Sequence, residues 1–269
     1  MKRISIIVIL LVVFSCKTNP FTGKSTFNFM PNSNLFPLSF SQYSSFLSEN
    51  KVITGTKETE MVKKVGQRIA KAAQMWLEHN GYKDYLKDYQ WEYNLVQSDQ
   101  VNAWCMPGGK IVVYTGILPI TQTETGLAVV MGHEIAHALA DHGARRMSVG
   151  TTQQLVGMLG NVALHNSKYL DEFNMAYNVG SQVGVTLPFS RAHETEADEI
   201  GIQIMAIAGY DPEEAPRLWE RMDANSSGGT IELLSTHPSN ASRIANLKSM
   251  VPKARAEAAK FGIRTFQYN

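Results

Sequence analysis

The chemistry in this sequence is concentrated in two short runs. His133-Glu134-Ile135-Ala136-His137 places two imidazoles four positions apart with a carboxylate beside the first. On a helix, positions i and i+4 share a face, so both rings can reach one ion. Zinc accepts imidazole nitrogen at about 2.0–2.1 Å, and a catalytic zinc takes three protein ligands and a water. Glu134 is then placed to remove a proton from that water as general base. The second run, Glu194-Thr195-Glu196-Ala197-Asp198, offers the missing ligand. Glu194 and Asp198 again share a helix face. One can bind metal while the other accepts a hydrogen bond from the distal nitrogen of a ligand histidine. Glu196 and Glu199 lie off that face and are expected to be solvated charges.

These runs need helices, and the surrounding sequence supplies them. Thr121 and Glu124 have capping-box spacing and are expected to start a helix reaching about Asp141. Ser190 to Ala208 reads as a second helix closed by Gly209. Apolar residues at Met61, Val65, Ile69, Ala72, Ala73 and Trp76 mark an amphipathic helix from Lys57 to about His79. Strands are expected at 91–95, 101–106 and 110–114, the last two joined by Pro107-Gly108-Gly109. Further helices are expected over roughly 147–165 and 167–182, with Gly180, Gly184 and Pro188 interrupting the chain before the next. Asp211-Pro212 is expected to open another helix, Ser226–Thr230 to be a loop, and a final helix to follow His237-Pro238-Ser239 through Met250. Residues 17–56 show no clear helical period and read as a tether and an irregular segment. The expected fold is α+β, mainly helical, with one small sheet.

Composition removes several classes. Lys and Arg number 25 against 24 Asp and Glu, so no basic excess favours nucleic acid. Two cysteines make neither a disulfide scaffold nor a four-cysteine zinc site. Met1-Lys2-Arg3, the apolar run Ile4–Phe14 and Ser15-Cys16 follow the order of a secretory signal, too short to span a bilayer. Val13-Phe14-Ser15-Cys16 resembles the lipobox of bacterial lipoproteins, which implies a lipid on Cys16 after cleavage. The segments so defined are 1–15 (signal), 16–56 (anchored tether), 57–252 (peptidase domain) and 253–269 (tail).

His133-Glu134-x-x-His137 together with Glu194-x-x-x-Asp198 resembles metallopeptidase family 48. That family includes the CAAX prenyl proteases, HtpX and soluble periplasmic members of the BepA and LoiP type. Asn102-Ala103-Trp104 with Pro107-Gly108-Gly109-Lys110, Asn19-Pro20-Phe21-Thr22-Gly23-Lys24, and Thr236-His237-Pro238 with Arg243 extend the resemblance. It implies a zincin-type (gluzincin) fold with one zinc per subunit, bound by His133, His137 and Glu194. Glu134 would be the base, and Asp198 would support a ligand histidine. Asn102 and Ala103 would lie on an edge strand that pairs with extended substrate, giving affinity through main-chain groups common to all proteins. His237 could donate to the oxyanion or bind zinc in a closed resting state. Arg243 could stabilise the same charge or hold that loop. Unfolded or misassembled envelope proteins are the expected substrates and partners, in the periplasm, with the lipid anchor in a membrane, the outer ahead of the inner, and without nucleic acid. A chaperone-like lipoprotein that binds unfolded chains, and a structural lipoprotein with a closed metal site, are the alternatives. His142 and His165 are expected at the surface or as caps, His193 off the metal face. Met147, Met158, Met175 and Met205 are expected to fill core gaps, and Cys105 to be a buried thiol.

Overall fold

The computed structural model describes residues 16–181, 187–226, 231–237 and 241–268. Residues 1–15 and most of the expected loops at 180–188 and 226–230 lie outside them.

The scaffold is a four-stranded sheet against which long helices pack. The strands are β3 (Val52–Ile53), β4 (Glu92–Val96), β5 (Ala103–Met106) and β6 (Lys110–Tyr114), in the spatial order β3-β4-β6-β5. A separate pair, β1 (Cys16–Thr18) and β2 (Ser25–Phe27), sets Cys16 opposite Phe27. The β5–β6 hairpin turns at Gly108 and Gly109, whose φ of 83° and 90° lie in the left-handed region. β6 is buried along Lys110–Val113 and pairs parallel with β4, which leaves β5 at the edge.

Helix α1 (Asn32–Glu49) corrects the irregular reading of this region. Its buried positions are Leu35, Phe36, Ser39 and Tyr43. Ser39 is polar but donates to the Pro107 carbonyl at 2.8 Å, and Tyr43 donates to the Ile111 carbonyl at 2.9 Å. Polar residues thus occupy the inward face, which hides the helical period. Helix α2 (Lys57–His79) starts as expected. The Thr56 side chain accepts from the Thr59 amide, and Val62, Val65, Ile69, Ala73 and Leu77 enter the core.

A one-turn helix, α3 (Leu118–Thr121), precedes the metal-motif helix, α4 (Glu124–Leu139). The cap of α4 is Thr123, accepting from the Gly126 amide at 3.0 Å, and not Thr121. Thr121 ends α3, and Gln122 at φ 60° breaks the chain between them. Helix α4 is buried on almost every side, between α2 and the sheet on one hand and α7 (Leu187–Ile207) on the other. Helices α4 and α7 touch at Gly132 and Gly201. A Cβ on Gly201 would lie 3.0 Å from the His133 amide nitrogen, so only glycine allows this approach. Pro188 falls within the first turn of α7, where its missing N–H costs nothing.

Helices α5 (His142–Leu164) and α6 (Leu170–Ser181) form a hairpin between the two motif helices. It starts five residues before the expected position. Met205 is buried as expected, but Met147, Met158 and Met175 are 41%, 63% and 71% exposed, so they do not fill the core. Helix α8 (Glu214–Ser226) follows a turn at Asp211-Pro212 in which the Asp211 carboxylate accepts from the Glu213 amide at 3.1 Å, the bond a capping side chain makes. Helix α9 (Glu232–Thr236) leads to His237, and α10 (Ala241–Lys260) runs ten residues past Met250. Leu247, Val251, Ala254 and Ala258 bury its inner face, and Gln267 bridges to Tyr210. The C-terminal stretch is therefore packed structure and not a free tail. Among the described residues, no helix is long and apolar enough to cross a membrane.

Candidate metal centre

Helix α4 presents His133, Glu134 and His137, each less than a tenth exposed. Helix α7 crosses it at Gly201 and brings Glu194 and Asp198 against them. Helix α9 delivers His237, whose amide donates to the Leu233 carbonyl at 2.8 Å. His133, His137, Glu194 and His237 offer ligand atoms all within 4.8 Å of one another. His133 Nε2 lies 3.0 Å from His137 Nε2, 3.2 Å from His237 Nδ1 and 3.3 Å from Glu194 Oε2. His237 Nδ1 is 2.8 Å from Glu194 Oε2, and His137 Nε2 is 3.4 Å from Glu194 Oε1. Ligands about 2.0 Å from a tetrahedral ion sit about 3.3 Å from each other, so this donor set has the dimensions of a zinc site.

Both α4 histidines of this donor set are held from behind. Asp198 Oδ1 lies 3.0 Å from His133 Nδ1, leaving Nε2 to face the other donors. Arg243 grips Asp198 with two bonds, Nε to Oδ2 and Nη2 to Oδ1, both 2.8 Å. Arg243 also donates to the His237 carbonyl at 3.2 Å and stacks over Trp219 at 3.5 Å. It therefore holds the His237 turn. Burial alone would raise the Asp198 carboxyl, but Arg243 and His133 hold it below its usual range. Burial likewise opposes ionisation of Glu194, and His133 and His237 overcome it, keeping that carboxyl well down. His133 is pulled down by burial, yet its bonds to Asp198 and Glu194 lift it to about 9. His137, with burial dominant, is pushed down. An ionised Glu194 among three imidazoles is a donor set that a divalent cation fits.

The second support was hidden in the sequence. His142 is fully buried, and its Nδ1 lies 2.7 Å from His137 Nδ1. Its Nε2 lies 3.1 Å from Glu196 Oε2. Glu196, expected in solvent, is 2% exposed and bonds Arg145 at 2.7 Å, Asn19 at 3.0 Å and Thr22 at 2.9 Å. Burial opposes its ionisation, but His142 and Arg145 outweigh that and keep the carboxyl low. His193 is buried too and stacks on His142 with ring centroids 4.0 Å apart. Burial pushes His142 down to about 4, so this ring is neutral and can accept from His137 Nδ1–H. Burial pushes His193 down as well. The Asn19–Thr22 turn, singled out only by resemblance, thus reaches the ligand His137 through Glu196 and His142.

Glu134 faces the cluster. Among the described residues its Oε1 is buried without a hydrogen-bond partner, with His237 Nε2 at 3.5 Å. A bare buried carboxylate oxygen beside a metal donor set is placed to take a proton from a water. Asn102 and Ala103 are not part of this cluster. They open the edge strand β5, which runs beside α4. The Tyr114 amide donates to the Asn102 carbonyl, so by antiparallel alternation the main-chain groups of Ala103 and Cys105 point away from β6. The Asn102 side chain accepts from the Ala103 amide at 2.9 Å. A cavity of 200 Å³ lies between Cys105–Pro107 and His137. Burial pushes the Cys105 thiol well up, which disfavours the thiolate.

Comparison with known proteins agrees with this geometry. Residues 56–251 match the profile described as Peptidase family M48. The chain is 38% identical over 174 residues to mitochondrial metalloendopeptidase OMA1 of Schizosaccharomyces pombe, covering 64% of this chain and 50% of that protein. It is 29% identical over 262 residues to metalloendopeptidase OMA1, mitochondrial, of Bos taurus, covering 91% of this chain and 48% of that protein. The beta-barrel assembly-enhancing protease of Escherichia coli is 32% identical over 169 residues, 60% of this chain and 34% of that protein. The chain spans half or less of the length of these curated relatives.

Proposed function

We propose, because this chain belongs to peptidase family M48, that it is a zinc-dependent endopeptidase acting on misfolded or stalled proteins of a cell envelope. The observation that carries the catalytic part is Glu134. Its unpartnered buried oxygen sits beside the donors of His133, His137, Glu194 and His237. A bound zinc would supply Lewis acidity, making a water acidic and polarising the scissile carbonyl. Glu134 accepts the proton from the attacking water and passes it to the departing amine. The outward Ala103 carbonyl and the main-chain groups of Cys105 align an extended substrate along β5, the Ala103 amide being held by Asn102. Because such pairing uses only backbone groups, it suits unfolded chains of varied sequence.

Four protein donors also suit a closed structural zinc site. A purely structural site gains nothing from a carboxylate oxygen buried at its edge without a hydrogen bond, whereas a hydrolytic site requires one. His237 therefore reads as a displaceable fourth donor in a resting state. The periplasmic, lipid-anchored setting is supported by the basic and apolar run ending at Cys16. The relative named as a beta-barrel assembly-enhancing protease supports it too, whereas other relatives are named as mitochondrial.

Casein hydrolysis by the purified protein tests the reading. Glu134→Gln should lower the rate about 10²–10⁴-fold while zinc remains bound, since a general base contributes that much. Chelation should abolish it and zinc restore it. Hydrolysis unaffected by Glu134→Gln would refute this site as catalytic. Trapping in the envelope with Glu134→Gln then identifies the substrates.

A further inference from the structure

The α5–α6 hairpin carries an apolar surface that the metal centre does not use. From Met147 to Ser167 the chain has no Asp, Glu, Lys or Arg. Yet this stretch is exposed. Leu155, Met158, Leu159 and Val162 are 53%, 63%, 58% and 72% exposed. Their spacing of i, i+3, i+4 and i+7 puts them on one face of α5. The opposite face is the one that packs on α6. There Phe173 fills the place a Cβ on Gly160 would take, Tyr177 lies against Gly157, and Asn161 and Asn174 exchange hydrogen bonds at 3.0 and 3.1 Å. The hairpin is thus complete as a pair of helices, and among the described residues nothing covers its outer stripe. A soluble surface helix places charges on such a face.

What covers the stripe is indicated by where the chain enters. Cys16 pairs with Phe27, and Phe27 lines a groove of 490 Å³ between α5 and α6 with Val149, Val156, Ala176 and Tyr177. The Phe29 amide donates to Ser148 on α5 at 3.2 Å, which fixes β2 to the hairpin. Cys16 therefore lies at the foot of the same hairpin, and a lipid on it would emerge there. We propose that the outer stripe of α5 is a membrane-docking face, seated at the boundary between headgroups and acyl chains of the bilayer that holds the N-terminus. Asp171 and Glu172 at the start of α6, and Lys168 before it, lie near the tip and off the stripe. A hairpin lying flat keeps these charges in water, whereas insertion tip-first would bury them. The contact is apolar, so it should survive high salt.

The test uses the full chain as isolated from its host membrane, reconstituted in phosphatidylethanolamine–phosphatidylglycerol vesicles. Val162→p-benzoylphenylalanine is irradiated beside Lys248→p-benzoylphenylalanine, an exposed position on α10. The proposal expects lipid adducts at position 162, unchanged in high salt, and few at 248. Replacing Leu155→Ser and Leu159→Ser together should lower the lipid adducts at 162 about tenfold or more, since both apolar contacts with the bilayer are lost. Both side chains are exposed, so the thermal midpoint and casein hydrolysis in detergent should not change. Adducts at 162 to a second copy of the chain would overturn the proposal in favour of a dimer face. An absence of lipid adducts at 162 would overturn it outright.

Discussion

Nδ1 of His142 lies 2.7 Å from Nδ1 of His137, and the carboxylate of Glu196 closes the far side of the same ring at 3.1 Å. A neutral His142 accepts a hydrogen bond from His137 Nδ1–H and donates its own Nε2–H to the Glu196 carboxylate. This fixes the tautomer that leaves His137 Nε2 for metal. Replacing His142 with Phe keeps a ring of similar shape but no acceptor. Zinc affinity should then fall about 10–100-fold, the usual cost of losing such a support. Competition with a chromophoric chelator measures this. Unchanged affinity would assign His142 to packing alone.

His237 occupies a donor position in the resting cluster. His237→Ala should therefore raise casein hydrolysis at saturating zinc, because water and substrate no longer compete with a fourth protein donor. A fall of about 10²–10³-fold instead would identify His237 as the donor to the oxyanion. Rates measured across a zinc titration separate the effect on turnover from the effect on zinc occupancy.

Gly201 meets the backbone of Gly132 and His133 at the crossing of α4 and α7. A methyl group there has only backbone to push against. Gly201→Ala should cost about 1–3 kcal/mol, as overpacking does. It should also lower zinc affinity, because separating the helices widens the gap between His133 and Glu194. Thermal melts with and without zinc report both effects. Full affinity in a destabilised variant would show that the crossing sets stability but not the ligand spacing.

Tyr85 donates to the Leu139 carbonyl at 2.7 Å and Tyr89 to the Ala138 carbonyl at 3.0 Å, capping the end of α4. Burial pushes both phenols well above their usual value. The folded state thus holds protons that the unfolded state releases above about pH 10. Their contribution is complete below that pH and declines as pH rises beyond it. Tyr85→Phe with Tyr89→Phe should lower stability at neutral pH by about 0.5–1.5 kcal/mol per lost bond. The same change should flatten the alkaline decline, read by circular dichroism against pH.

The ligand helices were legible because their signals are local. His133, His137, Glu194 and Asp198 each stand one helical turn from their partner, and spacing along one helix predicts a shared face. Glu196 and His142 were not legible, because what buries them comes from elsewhere. Asn19 and Thr22 reach Glu196 across 177 and 174 positions of sequence. No periodicity reports such a meeting, so a charge two positions past a ligand looked solvated. Helix α1 escaped notice because Ser39 and Tyr43 point inward and satisfy main-chain carbonyls. The methionines of the hairpin misled for the opposite reason. Apolar composition implies a buried neighbour, but the fold provides none for Met158 or Met175.

Residues 16–27 are folded onto the domain: Lys17 pairs with Asp141, and Phe21 stacks on Trp76 with ring centroids 4.4 Å apart. A lipid attached at Cys16 would thus have no slack before the first pinned residue. The leash length is nearly zero, and the working radius of the cleft is set by the width of the domain itself. Such an enzyme would patrol a thin layer beside the bilayer and ignore chains that diffuse away from it. Inserting a flexible spacer after Cys16 would widen that layer, but only by unpairing β1 from β2.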